Sequence, residues 1–328
     1  MHPVFRGIVL TLLFLIGSIT ALWAIGAVHF DFPWPAVRIA ASIALALIFA
    51  GALIVVRGVW RKLGALFAVF GVVLAWWLTL KPSNEGNWQP DVAQLPRAEV
   101  NGGVVTLHNV RNFDYRTEHD YTPRRELAAC ACRKSPASIL RSIIRGSPWM
   151  AHPILSFQFA DARPVSFSIE TRKVGHSYSA IGGLYRQFSL IFVVAEERDV
   201  IRVRTNYRKG RMFISIGPPS HQPARERFLH YVNSVNTIHG KPRWYNAITT
   251  NCTTAIRHQH PAAGRTKWDW RMLLNGKGDE LMYERKAIAI TGLPFGELKR
   301  RALINSAAKA ADDAPDFSSR IREGRPGM

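Results

Sequence analysis

Three apolar runs open the chain: Ile8 to Phe30, Ile39 to Val56 and Leu63 to Leu80, each 18 to 23 residues long. At about 1.5 Å rise per residue, each approaches the ~30 Å hydrocarbon core of a bilayer. A signal peptide followed by buried core helices fits less well, because the first run lacks a small-residue cleavage site and the next two follow at once. The pattern predicts a three-helix membrane anchor over residues 1–81. Arg6 precedes the first run, and Arg57, Arg61 and Lys62 separate the second from the third. Basic short loops face the cytoplasm, which puts the loop His29 to Pro35 and everything after Lys81 outside. The expected protein is multi-pass in a bacterial inner membrane, with a cytoplasmic N-terminus and a periplasmic C-terminal part.

Beyond the anchor the pattern changes. Residues 82–97 are polar and carry Pro82, Pro90 and Pro96, the composition of a linker. From Ala98 onward, short segments rich in β-branched and aromatic residues predict strands at Gly103 to Val110, Ile154 to Phe159, Val165 to Glu170, Phe188 to Ala195 and Val200 to Thr205. Ala224 to His239 repeats its apolar residues Phe228, Leu229, Val232 and Val235 at helical spacing. An α+β domain is expected over 98–275. A helical tail over 276–328 follows, in which Glu297 to Ala311 reads as one surface helix.

Charge adds a partner class. The 328 residues carry a net charge of +20, of which +5 lies in residues 1–81 and +15 beyond. A basic domain beside a bilayer is drawn to anionic lipid head groups, although a merely solvated basic face has the same composition. An external location argues against nucleic acid as the partner. Cys130, Cys132 and Cys252 make an odd count, so at least one thiol stays unpaired if all bridges are intramolecular. No cysteine pair has zinc spacing, and Cys252 with His258 and His260 makes only an incomplete ligand set. Neither a metal nor a cofactor is expected.

Candidate chemistry gathers at Cys252. Thr249-Thr250-Asn251-Cys252-Thr253-Thr254 reads as capping residues entering a helix. A thiol in a first helical turn feels the positive end of the dipole, so its pKa should fall; a buried packing cysteine at a helix start is the commoner alternative. A base is available in His152, which opens one strand-like run, and Glu170 ends the next. If those strands pair antiparallel, Glu170 lies near His152 and completes a nucleophile, base and orienter set.

Five ordered motifs then carry a resemblance. Asn109 to Arg116, His152 with Leu155-Ser156-Phe157, Ser168 to Arg172, Arg204-Thr205-Asn206-Tyr207, and Tyr245-Asn246 leading to Thr250-Asn251-Cys252-Thr253-Thr254 together resemble the Lnb N-terminal periplasmic domain family over about residues 98–265. The resemblance implies kinship with a lipoprotein N-acyltransferase, which moves an acyl chain onto a lipoprotein amino terminus. It also implies a permuted papain-like fold of the NlpC/P60 kind, in which histidine precedes cysteine. On that basis Cys252 matches the nucleophile and His152 the base; Glu170 as orienter rests on strand spacing, with Asn251 as its rival. The expected partners are a phospholipid donor, a lipoprotein acceptor and the membrane. Arg111, Arg116, Arg172 and Arg204 are candidates for lipid phosphate, or equally for ion pairs with Asp114 or Glu118. A cell-wall peptidase or amidase using the same dyad is the competing enzyme, and a catalytically silent membrane-anchored binding module the non-enzymatic reading.

Two stretches depart from the family pattern. Residues 127–147 hold Cys130, Cys132, Arg133, Lys134, Arg141 and Arg145 with no carboxylate, and Lys209 to His221 is similarly out of character. Divergence or a local change of reading frame would explain both, and either casts doubt on the strand beside His152.

Overall fold

The computed structural model describes residues 3–131, 137–144, 147–175, 178–216, 221–254, 267–288 and 292–325. These form two compact units: the N-terminal 83 residues joined by the segments ending at Phe188 and Asn246, and the remainder of the chain.

In the first unit, helices α1 (Pro3–Asp31), α2 (Arg38–Val55) and α3 (Val59–Thr79) are each long and apolar enough to cross a membrane. Most of their apolar side chains face outward, as expected of a surface meeting lipid tails. Alanines, branched aliphatics and aromatics fill the inside: Ala24, Ala27, Leu45, Phe49, Leu66 and Val73 are buried together with Tyr185.

The second unit is built on an eight-stranded sheet. Its strands are β1 (Arg97–Asn101), β2 (Val104–Arg111), β5 (Arg125–Ala131), β6 (Ala137–Ile144), β7 (Ala151–Gln158), β8 (Val165–Arg172), β9 (Ser189–Glu196) and β10 (Arg211–Ile216). They run in the order β1-β2-β9-β8-β7-β6-β10, and β5 pairs antiparallel with β2 outside that sequence. A small ribbon of β3 (Asp114–Tyr115) and β4 (Tyr121–Thr122) stands apart. Helix α5 (His221–Gly240) sets Phe228 and Tyr231 against Phe157 and Phe167, with ring centroids 5.2 to 6.0 Å apart, mostly edge to face.

A second core cluster gathers Ile154, Ile191, Val193 and Ala195, and it holds the C-terminal residues Ile304, Ala308, Ala311, Phe317 and Ile321. The tail is therefore part of the core and not a surface helix. After the helices α4 (Glu197–Val200) and α6 (Gly278–Glu284), it runs as α7 (Phe295–Arg301), α8 (Asn305–Ala311) and α9 (Phe317–Arg320). The expected single helix from Glu297 breaks at Ala302 to Ile304 because the chain there joins the sheet edge. Leu303 bridges Phe213, the Ile304 N–H donates to Met212 O, and Asn305 Oδ1 accepts from the Met212 N–H.

Three further expectations change. Val200 to Thr205 is helical, not a strand: α4 continues into a π-helical turn at Val203–Tyr207. Its residues are buried on successive sides rather than alternately, and Thr205 Oγ1 donates back to Ile201 O, 3.1 Å away. The segment read as a linker is packed: Val92 is in the core, and Arg172 donates to the carbonyls of Asn84, Val92 and Ala93 while stacking on Trp88. The strand beside His152 is formed, since β6 pairs with β7 from Ala137↔Gln158 to Ile144↔Ala151 and with β10 on its other edge. Cys132, Arg133, Lys134 and Arg145, and residues 217–220, lie outside the described residues.

Candidate active site

Strand alternation places the first half of the site. β7 and β8 pair antiparallel with Ile154 opposite Ser168, and continuing that register sets His152 opposite Glu170. The side chains of Ser166, Ser168 and Glu170 share one face. Ser166 is occupied by Ser156, Oγ to Oγ 2.7 Å. His152 Nε2 lies 2.7 Å from Ser168 Oγ, so the direct ring partner is a serine. Glu170 instead takes Arg204 Nη2 at 2.5 Å, and Arg204 also donates to Val200 O and reaches Ser168 Oγ at 3.5 Å. The π-helical turn is what brings Arg204 over the sheet.

The second half is a helix start. Asn251 caps it: Oδ1 accepts from the Thr253 N–H at 3.0 Å and the Thr254 N–H at 2.9 Å, while Thr254 Oγ1 accepts from the Asn251 N–H. This reciprocal pattern is a capping box. With Nδ2 donating to Ala247 O, Asn251 is fully engaged locally and is not bonded to the imidazole. Cys252 is a partly exposed free thiol at the first helical position.

Asn275 joins the halves. Its Oδ1 accepts from the Ala151 N–H at 2.7 Å, next to His152, and its Nδ2 donates to Thr253 Oγ1 at 2.6 Å and lies 3.9 Å from Cys252 Sγ. The turn beneath it is held closely: the Gly276 N–H donates to Trp149 O at 2.9 Å, and a Cβ at Gly276 would strike the backbone of Pro148 to Met150.

The electrostatics follow from burial and one ion pair. Burial would raise the Glu170 carboxyl, but Arg204, His152 and Arg111 outweigh it and hold the group well below the usual carboxylate range. Burial pushes His152 down to about 4, helped by the Arg204 charge and opposed by Glu170. Burial also raises the Cys252 thiol, against the Thr253 hydroxyl, and the Glu170 charge adds to the rise. The expected depressed thiol is thus reversed: desolvation exceeds what the helix start supplies. At neutral pH Cys252 rests as a thiol and His152 as a neutral imidazole.

The four arginines expected to meet lipid phosphate all have internal partners. Arg111 pairs with Asp199 at 2.8 Å, Arg116 with Asp120, Arg172 with backbone carbonyls and Arg204 with Glu170. Asp114 pairs with Arg124, Arg198 and Arg202, and its charge also acts on Arg116; Glu118 pairs with Arg208. His258 and His260 lie outside the described residues; among those described, no cluster of three or more His, Cys, Asp or Glu is placed to hold a metal ion.

Sequence reading left out three contributors. Ser168 was accessible to it, because alternation through Val165-Ser166-Phe167-Ser168-Ile169-Glu170 puts a second polar group beside Glu170. Thr253 follows from the capping motif. Asn275 had no signal, since Leu273-Leu274-Asn275-Gly276 belongs to no motif.

Residues 133–276 match the family model of the Lnb N-terminal periplasmic domain, 144 of the 328 residues. The match starts later than the resemblance read from the motifs, leaving Asn109 to Arg116 outside, and it takes in His152, Ser168, Glu170, Arg204, Cys252 and Asn275. Together with the three apolar helices, it points to a membrane-anchored protein with a periplasmic domain. No curated protein and no solved structure matches the chain.

Proposed function

We propose that the protein is a membrane-anchored cysteine acyltransferase. It takes an acyl chain from a phospholipid through a thioester on Cys252 and passes it to the amino terminus of a lipoprotein. The carrying observation is the Asn275 side chain, which ties the helix start bearing Cys252 to the backbone beside His152. Histidine preceding cysteine in the chain is the order of the permuted papain-like arrangement, and that kinship is part of the proposal.

The resting charges define the first step. In the tautomer that carries its proton on Nε2 and donates it to Ser168 Oγ, 2.7 Å away, the other ring nitrogen of His152 is an acceptor, and it takes the thiol proton as Sγ attacks the ester carbonyl. The Thr253 and Thr254 N–H groups are committed to Asn251, so the oxyanion would take the Cys252 N–H and the second N–H of Asn275 Nδ2. The C–O bond then breaks, the imidazolium returns its proton to the departing oxygen, and a lysophospholipid leaves. In the second half the α-amine attacks the thioester carbonyl, the C–S bond breaks, and His152 carries the amine proton to sulfur. Transfer wins over hydrolysis if the bound acyl chain covers the partly exposed thiol and excludes water, which leaves the amine as the available nucleophile. Three spans in the bilayer, with both termini of the reaction confined to its outer surface, keep donor and acceptor at high effective concentration.

Purified full-length protein in nanodiscs, given phospholipid with a labelled acyl chain and a diacylated lipopeptide, tests this. Label appearing as amide on the lipopeptide, lost in Cys252→Ser, is the expected result. Labelled free fatty acid alone would make it a hydrolase; peptide released from cell wall would make it an amidase. No turnover by folded protein would favour a silent module.

A further inference from the structure

The segment from Tyr178 to Phe188 belongs to the same compact unit as the three apolar helices, although it is the connection between β8 and β9. It is fastened to them by a dense set of bonds. Asp31, the last residue of α1, accepts from the Arg186 N–H at 3.0 Å, from Gln187 Nε2 at 3.0 Å and from Trp77 Nε1 at 2.7 Å. The Arg186 guanidinium lies 3.8 Å over the Trp77 ring and donates to the carbonyls of Trp77 and Leu80, at the end of α3. The ends of α1 and α3 are thus clamped side by side by this loop.

Tyr185 goes deeper. Its ring stacks on Phe30 at 4.9 Å, and its hydroxyl occupies the surface of α1 over Gly26, where a Cβ would collide with it. Gly26 lies five residues before Asp31, so the hydroxyl reaches about 7.5 Å down the helix from the Asp31 level. Beside this buried ring the loop leaves large apolar side chains uncovered: Ile181 is 61% exposed, Tyr178 42% and Leu184 38%. The turn between them is internally fixed, with the Gly183 N–H donating to Ser179 O and the Tyr185 N–H to Gly182 O. An aliphatic tip this close to a helix made for lipid, held by an aromatic ring and a planar cation stacked on tryptophan, has the composition of an interfacial anchor.

We propose that this loop is a lipid-binding element, with Ile181 and Leu184 inserted among the acyl chains of the outer leaflet at the end of α1. The partner is the phospholipid bilayer itself. The proposal rests on membrane anchoring and not on the thiol chemistry, so it stands or falls apart from the transferase reading.

Full-length protein carrying benzoylphenylalanine at position 181 is reconstituted in nanodiscs of phosphatidylethanolamine and phosphatidylglycerol, irradiated and weighed by intact mass. The same amino acid at position 22, an exposed residue of α1, is the reference. Lipid adducts at both positions are expected. In a Gly26→Leu background, which evicts Tyr185, the adduct at 181 should fall several-fold while that at 22 persists. Adduct at 22 without adduct at 181 overturns the insertion. No adduct at either position overturns it together with the anchoring. An adduct at 181 unchanged by Gly26→Leu removes the role given to the Tyr185 socket.

Discussion

Arg111 and Asp199 form a pair in which both carboxylate oxygens are occupied from within the fold. Arg111 donates from Nε and Nη2, the Phe113 N–H comes in at 2.7 Å and the Tyr115 hydroxyl at 3.4 Å. Arg204 and Glu170 form another deep pair with much the same chemistry, but Glu170 is only partly covered and acts electrostatically on His152 and Cys252. The first pair satisfies itself and staples β2 to α4. The second leaves a charge facing titratable neighbours, and so sets how those neighbours ionise.

Breaking each pair separately should expose that contrast. The largest loss of stability is expected from Asp199→Ala, which strands a buried guanidinium and should cost about 3–5 kcal/mol, measured by urea unfolding. The pH dependence of Cys252 alkylation should change far less in that variant than in one that removes the Glu170 charge, because Arg111 reaches the thiol only through Glu170. A mild cost would mean the staple carries little.

His152 gives the next effect. Its folded pKa, about 4, lies below the ordinary 6.5 of the unfolded chain, so the contribution is fully present above pH 6.5 and is lost as pH falls towards 4. The difference corresponds to roughly 3 kcal/mol. Unfolding free energies measured between pH 7.5 and 4 should show this slope in the parent and lose it in His152→Gln. An equal slope in both would place the titration elsewhere.

Glu170→Gln should cost less stability than Asp199→Ala, about 1–3 kcal/mol, because the stranded arginine keeps Val200 O. Its distinctive readout is the thiol: removing the negative charge lowers the Cys252 pKa, so iodoacetamide should react faster at a given pH. Slower reaction would contradict the electrostatic role. Smallest of all, Arg116→Ala breaks a solvent-exposed pair with Asp120 and should leave both stability and alkylation within error.

How legible these regions were in the sequence follows from the range of the forces that build them. The apolar runs, the alternation of β8 and the short β-branched and aromatic stretches of β7 and β9 are local patterns, so the helices and the His152–Glu170 register could be read directly. Asn251 as a cap was likewise local. The break at Leu303 comes from an edge pairing with Phe213, ninety residues away, and the buried tail from a core it shares with Ile191 and Val193. Val200 to Thr205 misled because β-branched residues also suit a helix packed on every side. Asn275 and the reversed thiol pKa depend on tertiary burial, which no spacing encodes.

The most direct test of the central claim is the mass of the protein itself after brief exposure to a phospholipid of defined chains, with no acceptor present. The account predicts a single hydroxylamine-labile acyl adduct mapped to Cys252, absent in Cys252→Ala and strongly diminished in Asn275→Ala. An unmodified Cys252 in folded, membrane-embedded protein, or an adduct that maps to another residue, would contradict it.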